Sequence, residues 1–238
     1  MLSPLRPIFQ SAYQHWFKGV EATSVLPAEA VLKRWWGVNV SKEDGAAFDQ
    51  SCSDLFLKPL QDIAKLPYQQ KEESQQSAQL LLTECAQDSP AEMYRDTLGL
   101  IILLDQMTRN IFRGDSASKV YSQYDSISQA VAYDALERGV DKIEHADQTT
   151  FRQWFYMPLM HSEDIKQHKT YSGFLDELEA RNKGNADALK YLGMSRGAAN
   201  KHSEIIEKFG RYPHRNACLK RESTPEEAKW LAEGGTYY

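Results

Sequence analysis

Leu98-Gly99-Leu100-Ile101-Ile102-Leu103-Leu104 is an apolar run with no polar face at helical spacing. A helix that is hydrophobic all round belongs at the centre of a helical protein rather than on its surface. Its beginning is written in Ser89-Pro90-Ala91-Glu92. There the serine accepts from orphan amides, the proline is tolerated in the first turn, and the glutamate reaches back. The spacing predicts one helix from Ser89 to about Arg113, with Gly114 as its stop. The run is about a third of the length a membrane span requires, so no membrane contact is expected.

Working outward, apolar residues recur with helical spacing almost throughout, and no convincing alternation of strand type appears. Phe9, Tyr13, Trp16 and Phe17 form one face ahead of Gly19, and Pro27 opens a short helix that closes near Gly37. Ser41 with Asp44 starts a third helix through Phe56, and the polar stretch 67–77 reads as a solvated loop or an exposed helix start. Further helices are expected over 77–87, 116–138, 147–160, 163–181 and 185–209, with a last capping box at Thr224-Pro225-Glu226-Glu227. The fold class is therefore all-α: an array or bundle of about nine helices with short connections. Residues 1–238 read as a single domain, without a visible linker, and no repeat of the 34-residue tetratricopeptide period is evident.

Composition narrows the function classes. The chain has 238 residues, is 42% hydrophobic and 26% charged, and contains only 13 Gly and 9 Pro, so it reads as globular. A net charge of −5 argues against nucleic acid, since binding phosphates needs a basic face. Positive charge concentrates locally, with seven Lys/Arg against three Glu between Arg196 and Glu222, which suits one small anion or a carbonyl group. Cys52, Cys85 and Cys218 are odd in number and far apart, as in a protein of a reducing compartment with neither a disulfide framework nor a zinc site. Residues 1–20 lack the apolar core of a secretory signal. A cytoplasmic protein is expected.

Two polar blocks stand out. Asp105-Gln106-Met107-Thr108-Arg109-Asn110-Ile111-Phe112-Arg113-Gly114 continues the apolar helix, with Asp105 and Arg109 four apart on one face and Arg113 beyond them. Charges on a helix this apolar must be paired to be tolerated. They read either as an ion pair that locks packing or as an arginine held by its aspartate to face a cavity. Phe209-Gly210-Arg211-Tyr212-Pro213-His214-Arg215-Asn216 sets two arginines, a histidine, a tyrosine and an asparagine around a helix-ending glycine and a stiffening proline. It reads equally as a clasp between loop and helices and as a ligand grip.

His202 lies on the stripe of Leu192, Ser195 and Ala199 and is expected to point inward. It is either a satisfied core histidine or a general acid or base. His161, Asp164 and His168 fall on one face of a helix expected to begin at His161. No further ligand with metal spacing accompanies them, so no metal is expected. Gly-rich phosphate loops, nucleophile elbows and zinc-hydrolase motifs are absent, which leaves nucleotide, flavin and zinc chemistry without support and implies no cofactor.

The chain resembles an uncharacterised, tetratricopeptide-like all-helical family classed as a domain of unknown function. The resemblance is carried by His15-Trp16-Phe17, by Leu103-Leu104-Asp105-Gln106 with Arg109-Asn110-Ile111-Phe112-Arg113-Gly114, and by Pro158-Leu159-Met160-His161-Ser162-Glu163-Asp164. It continues through His202 with Ile205-Ile206, Phe209 to Asn216, and Arg221-Glu222-Ser223-Thr224-Pro225-Glu226-Glu227. Val120-Tyr121-Ser122-Gln123-Tyr124-Asp125 looks more like the fungal branch, and Lys220 stands where the family usually has glycine. The resemblance implies a fold, and only by analogy a peptide-binding groove.

The polar, helix-borne motif residues suit a closed pocket better. The expected site joins His202, Arg211, Asp105 and Arg109 as catalytic groups to a binding wall of Trp16, Gln106, Arg113, His161, Tyr212, His214, Arg215 and Asn216. Such a site fits a cofactor-free isomerase, lyase or cyclase (a pericyclic cyclase among them) acting on an apolar metabolite with a carbonyl or carboxylate. The alternatives are a non-catalytic scaffold for a peptide or protein partner and, with less in its favour, a hydrolase.

Overall fold

Serine, asparagine and aspartate stand where helices begin, and glycine stands where several end. Ser41 accepts from the Asp44 amide, Ser89 from Glu92, Asp164 from Lys166, Asn185 from Ala188 and Thr224 from Glu227, each satisfying an orphan N–H. The computed structural model describes residues 4–37 and 39–235; residues 1–3, 38 and 236–238 of the expected 1–238 domain lie outside the described residues. Among the described residues there are ten helices and no strand. They are α1 (Arg6–Trp16), α2 (Glu29–Trp36), α3 (Lys42–Ile63), α4 (Lys71–Thr83), α5 (90–111), α6 (120–137), α7 (Thr149–Met160), α8 (Ile165–Arg181), α9 (Ala186–Phe209) and α10 (Pro225–Ala232). The all-α helical array read from the sequence is the architecture observed.

Helix α5 is the axis of the core: Leu98 and Leu100 to Leu104 are each at most 1% exposed. Helix α1 lies along it so closely that a Cβ on Gly99 would fall 2.0 Å from the Phe9 carbonyl oxygen. Only glycine permits that approach. Helices α7, α8 and α9 follow as successive neighbours, each packing on the one before.

Four expectations needed revision. Helix α4 begins at Lys71 rather than near Ser77, because Gln70 and Glu73 form a reciprocal capping box. Helix α5 stops at Ile111 rather than Arg113, as Phe112 turns extended and Gly114 takes φ +58°. It also carries a π turn, Leu103–Met107, that no local pattern announces, and α6 opens with another, Val120–Tyr124. His161 does not begin a helix: it closes α7, while Asp164 caps α8. His161, Asp164 and His168 therefore do not share one helical face.

Candidate functional site

The two π turns put carboxylates where straight helices would not. Asp105 lies inside the first, and Asp125 directly follows the second. Widened turns of this kind are frequent at functional sites. Arg109 bridges the pair, 3.2 Å from Asp105 Oδ1 and 2.8 Å from Asp125 Oδ1. The Gln106 amide donates to the other Asp105 oxygen. Asn110, one turn on, donates to the Gln106 carbonyl at 2.9 Å. Burial would raise the Asp105 carboxyl, but the Arg109 charge and then His161 outweigh it and bring it down to about 2.

His161 reaches Asp105 Oδ1 with Nδ1 at 2.8 Å. An ionised carboxylate only accepts, so Nδ1 carries the proton and Nε2 keeps its lone pair. Burial, then the Arg109 charge, push His161 below its ordinary value despite the aspartate. The His202 ring lies 6.5 Å from that of His161. Its Nδ1 donates to the Ala198 carbonyl at 2.9 Å, which again leaves Nε2 as the basic nitrogen. Burial brings His202 down to about 4, with the Ala198 carbonyl opposing. His202 is thus neutral at pH 7, an acceptor rather than the near-neutral titrating group the sequence suggested.

Tyr212 joins this group, its ring 5.9 Å from His202 and its O–H donating to the Met160 carbonyl at 2.6 Å. His214 stands 5.4 Å from Tyr212, and burial, then Arg215, bring it down to about 3. Arg215 donates to the His161 carbonyl at 2.9 Å and lies 3.5 Å from Asp125 Oδ2. Its guanidinium is sandwiched between Tyr121 and Tyr212 at 4.4 Å from each ring, a doubly stacked cation–π arrangement. Asp105, Gln106, Arg109, His161, His202, Tyr212, His214 and Arg215 therefore come together.

The remaining expected residues go elsewhere. Arg211 forks onto Glu227 at 2.7 and 2.8 Å and reaches the Glu222 carbonyl. Asn216 donates to Ser223 and Glu227 and accepts from Arg221, which itself grips Glu163. These contacts tie the chain end to the α7–α8 junction, so Arg211 and Asn216 belong to a clasp rather than to the Asp105 group. Lys220 turns this segment at φ +55°, a backbone that glycine adopts without strain. Arg113 pairs with Asp49 of α3 at 2.6 Å on the exposed side. Trp16 is core: its ring meets Trp154 edge-on at 4.9 Å, and Trp154 stacks on Trp36.

Trp36 brings the chain to a cavity the sequence reading missed. A space of about 360 Å³ opens between α2, α7, α8 and α9, walled by Leu32, Trp36, Met157, Met160 and Met194. Tyr171, Tyr191, Ser195 and Ala198 also line it, with Glu29, Lys33 and Asn39 on its α2 side. The cavity and the histidine group ride on the same three helices. Met160 precedes His161, Tyr171 stands one turn from His168, and Ala198 stands one turn from His202. The available signal was the face Tyr191, Ser195, Ala198, His202 on α9, where small and polar residues interrupt an inward stripe. Among the described residues no group of three or more His, Cys, Asp and Glu is placed to hold a metal ion, and no helix is long and apolar enough to cross a membrane.

The chain as a whole is similar to proteins described as of unknown function. A solved structure of a protein of unknown function from Agrobacterium tumefaciens is 27% identical, with a TM-score of 0.59, over 97% of this chain and 99% of that one. No curated protein matches. The model of DUF924, described as a bacterial protein of unknown function, matches residues 12–235, and the chain belongs to that family.

Proposed function

We propose that the protein is a small-molecule enzyme of the isomerase, lyase or cyclase kind, using the apolar cavity for the body of its substrate and the adjoining histidine group for proton transfer. One observation carries this reading: the cavity residues Met160, Tyr171 and Ala198 stand within one turn of His161, His168 and His202, and His168 lies 6.3 Å from the Tyr212 ring of the polar group. Met160 and Ala198 line the cavity, His161 follows Met160 directly, and His202 stands one turn beyond Ala198. Both rings have Nδ1 occupied, so each offers a basic Nε2 to a proton on carbon next to a carbonyl. Arg109 and Arg215 supply positive charge for the oxygen on which negative charge then develops. Chemistry of this kind runs on positioning and electrostatics.

The test is untargeted profiling of a small-molecule extract incubated with the protein. A substrate–product pair should appear, and His202→Ala should slow it by about 10²–10⁴-fold with the melting temperature little changed. Conversion by His202→Ala at the parent rate overturns the assignment of roles. No conversion, with one stoichiometric protein recovered by affinity capture, establishes the non-catalytic scaffold instead.

A further inference from the structure

The cavity is apolar on most sides, and two of the polar groups in its wall are the phenols of Tyr171 and Tyr191. Tyr191, 1% exposed, accepts a hydrogen bond on its phenol oxygen from the Gln153 amide nitrogen. Ser195 Oγ donates to Gln153 Oε1 at 3.1 Å, which keeps the amide nitrogen turned toward Tyr191. With the Gln153 amide directed at its oxygen, the Tyr191 O–H proton is donated to no described residue. Tyr171, also 1% exposed, lines the same cavity from α8, and its hydroxyl makes no hydrogen bond to any described residue. Burial raises both phenols, and Tyr171 lies near enough to Tyr191 to raise it further, so both remain donors at neutral pH.

Buried hydroxyls whose protons find no acceptor are rare in folded proteins, and a cavity that presents two is built to receive an acceptor. The charges at this cavity, Glu29 and Lys33, neutralise each other at 2.7 Å on its α2 side, so the phenols face no net charge from them.

We propose that Tyr171 and Tyr191 together donate to one neutral carbonyl oxygen of the ligand, making the cavity selective for an apolar ketone, ester or amide over both the matching hydrocarbon and the matching carboxylate. This rests on the small-molecule reading above and narrows its substrate class. Tyr191 is the more polarising donor, because the hydrogen bond accepted from Gln153 strengthens the one it gives. The two phenols are positioned to bind and polarise the carbonyl, while proton movement is left to the histidine group.

Benzophenone, diphenylmethane and diphenylacetate share one apolar body and differ only in the polar group, and their affinities for the whole protein are read by calorimetry. Benzophenone should bind about tenfold more tightly than diphenylmethane, the difference expected for one to two net hydrogen bonds, and more tightly than diphenylacetate. Tyr171→Phe with Tyr191→Phe should erase that preference and leave diphenylmethane affinity unchanged, which also shows the variant folded with its cavity intact. Equal binding of benzophenone and diphenylmethane by the parent, a preference that survives in the double variant, or tighter binding of diphenylacetate overturns the carbonyl assignment while leaving a small-molecule cavity standing. Binding of none of the three overturns the cavity reading and this one with it.

Discussion

Arg152 and Arg215 are both buried arginines, yet the protein treats them in opposite ways. Arg152, wholly buried on α7, uses every donor it has. Nε goes to Asp141 at 2.9 Å, Nη1 to Glu177 and the Ala146 carbonyl at 3.0 Å, and Nη2 to Glu177 and the Tyr156 hydroxyl. Tyr156 closes the ring by donating to the same Asp141 oxygen at 2.9 Å. Arg215 makes one short hydrogen bond, to the His161 carbonyl, and holds Asp125 at 3.5 Å, while its buried Nε has no hydrogen-bond partner. It depends on two tyrosine faces instead. A saturated buried charge locks packing; the under-bonded Arg215, beside the buried histidines, is the one the proposed function uses. Burial does not separate structure from function here, but the completeness of the hydrogen bonding does.

The largest expected effect tests the saturated side. Arg152→Met leaves Asp141 buried without its cation and should cost about 3–5 kcal/mol, read as a urea midpoint. Arg215→Met should cost less, about 1.5–3 kcal/mol, because one hydrogen bond to a charged group is lost while Arg109 continues to hold Asp125. Equal losses would dissolve the contrast.

Next comes pH. The folded protein holds His202 at about 4 and His214 at about 3, below the ordinary histidine value, with His161 and His168 also lowered. Between about 6.5 and about 4 the unfolded chain therefore binds more protons than the folded one. The stability these groups contribute is complete above about 6.5 and falls as the pH drops through that window. Urea midpoints should be lower at pH 5 than at pH 7, and His202→Gln with His214→Gln should flatten the slope. The Arg152 side holds no histidine among its hydrogen-bonding partners and should add nothing to that slope.

The smallest effect lies in the clasp. Lys220→Gly relieves a left-handed backbone worth about 1–2 kcal/mol but adds unfolded-state entropy, for a net gain of about 0.5–1 kcal/mol. Thermal melts would register the gain, and ligand affinity should be unmoved, since the clasp lies outside the cavity.

Much of the frame was legible because it is local. The apolar run 98–104, the caps at Ser41, Ser89 and Thr224, and the four-residue spacing of Asp105 and Arg109 are all short-range signals. The convergence of 105–109, 161, 202 and 212–215 was also readable, since buried polar groups need partners. What stayed hidden is long-range or geometric. Asp125 shares Arg109 only because a π turn re-aims it, and Arg152 finds Asp141 and Glu177 at separations of 11 and 25 residues. Tyr171 and Tyr191 carry no signal of their own in the sequence, because hydrophobic periodicity does not show a cavity between helices. Arg211 looked like a partner for Arg109 until Glu227, on a helix beyond it, proved to hold it.

The central claim is that the cavity and the histidine group form one site. Its most direct test is an NMR titration of the protein with benzophenone, following the imidazole nitrogens of His202 and His161 and the rings of Tyr171 and Tyr191. The expected result is a shift of the His202 Nε2 signal that saturates with the same dissociation constant as the two tyrosine signals. Saturation of the tyrosine signals with both histidines unmoved would contradict it, leaving a binding cavity that has nothing to do with the polar cluster beside it.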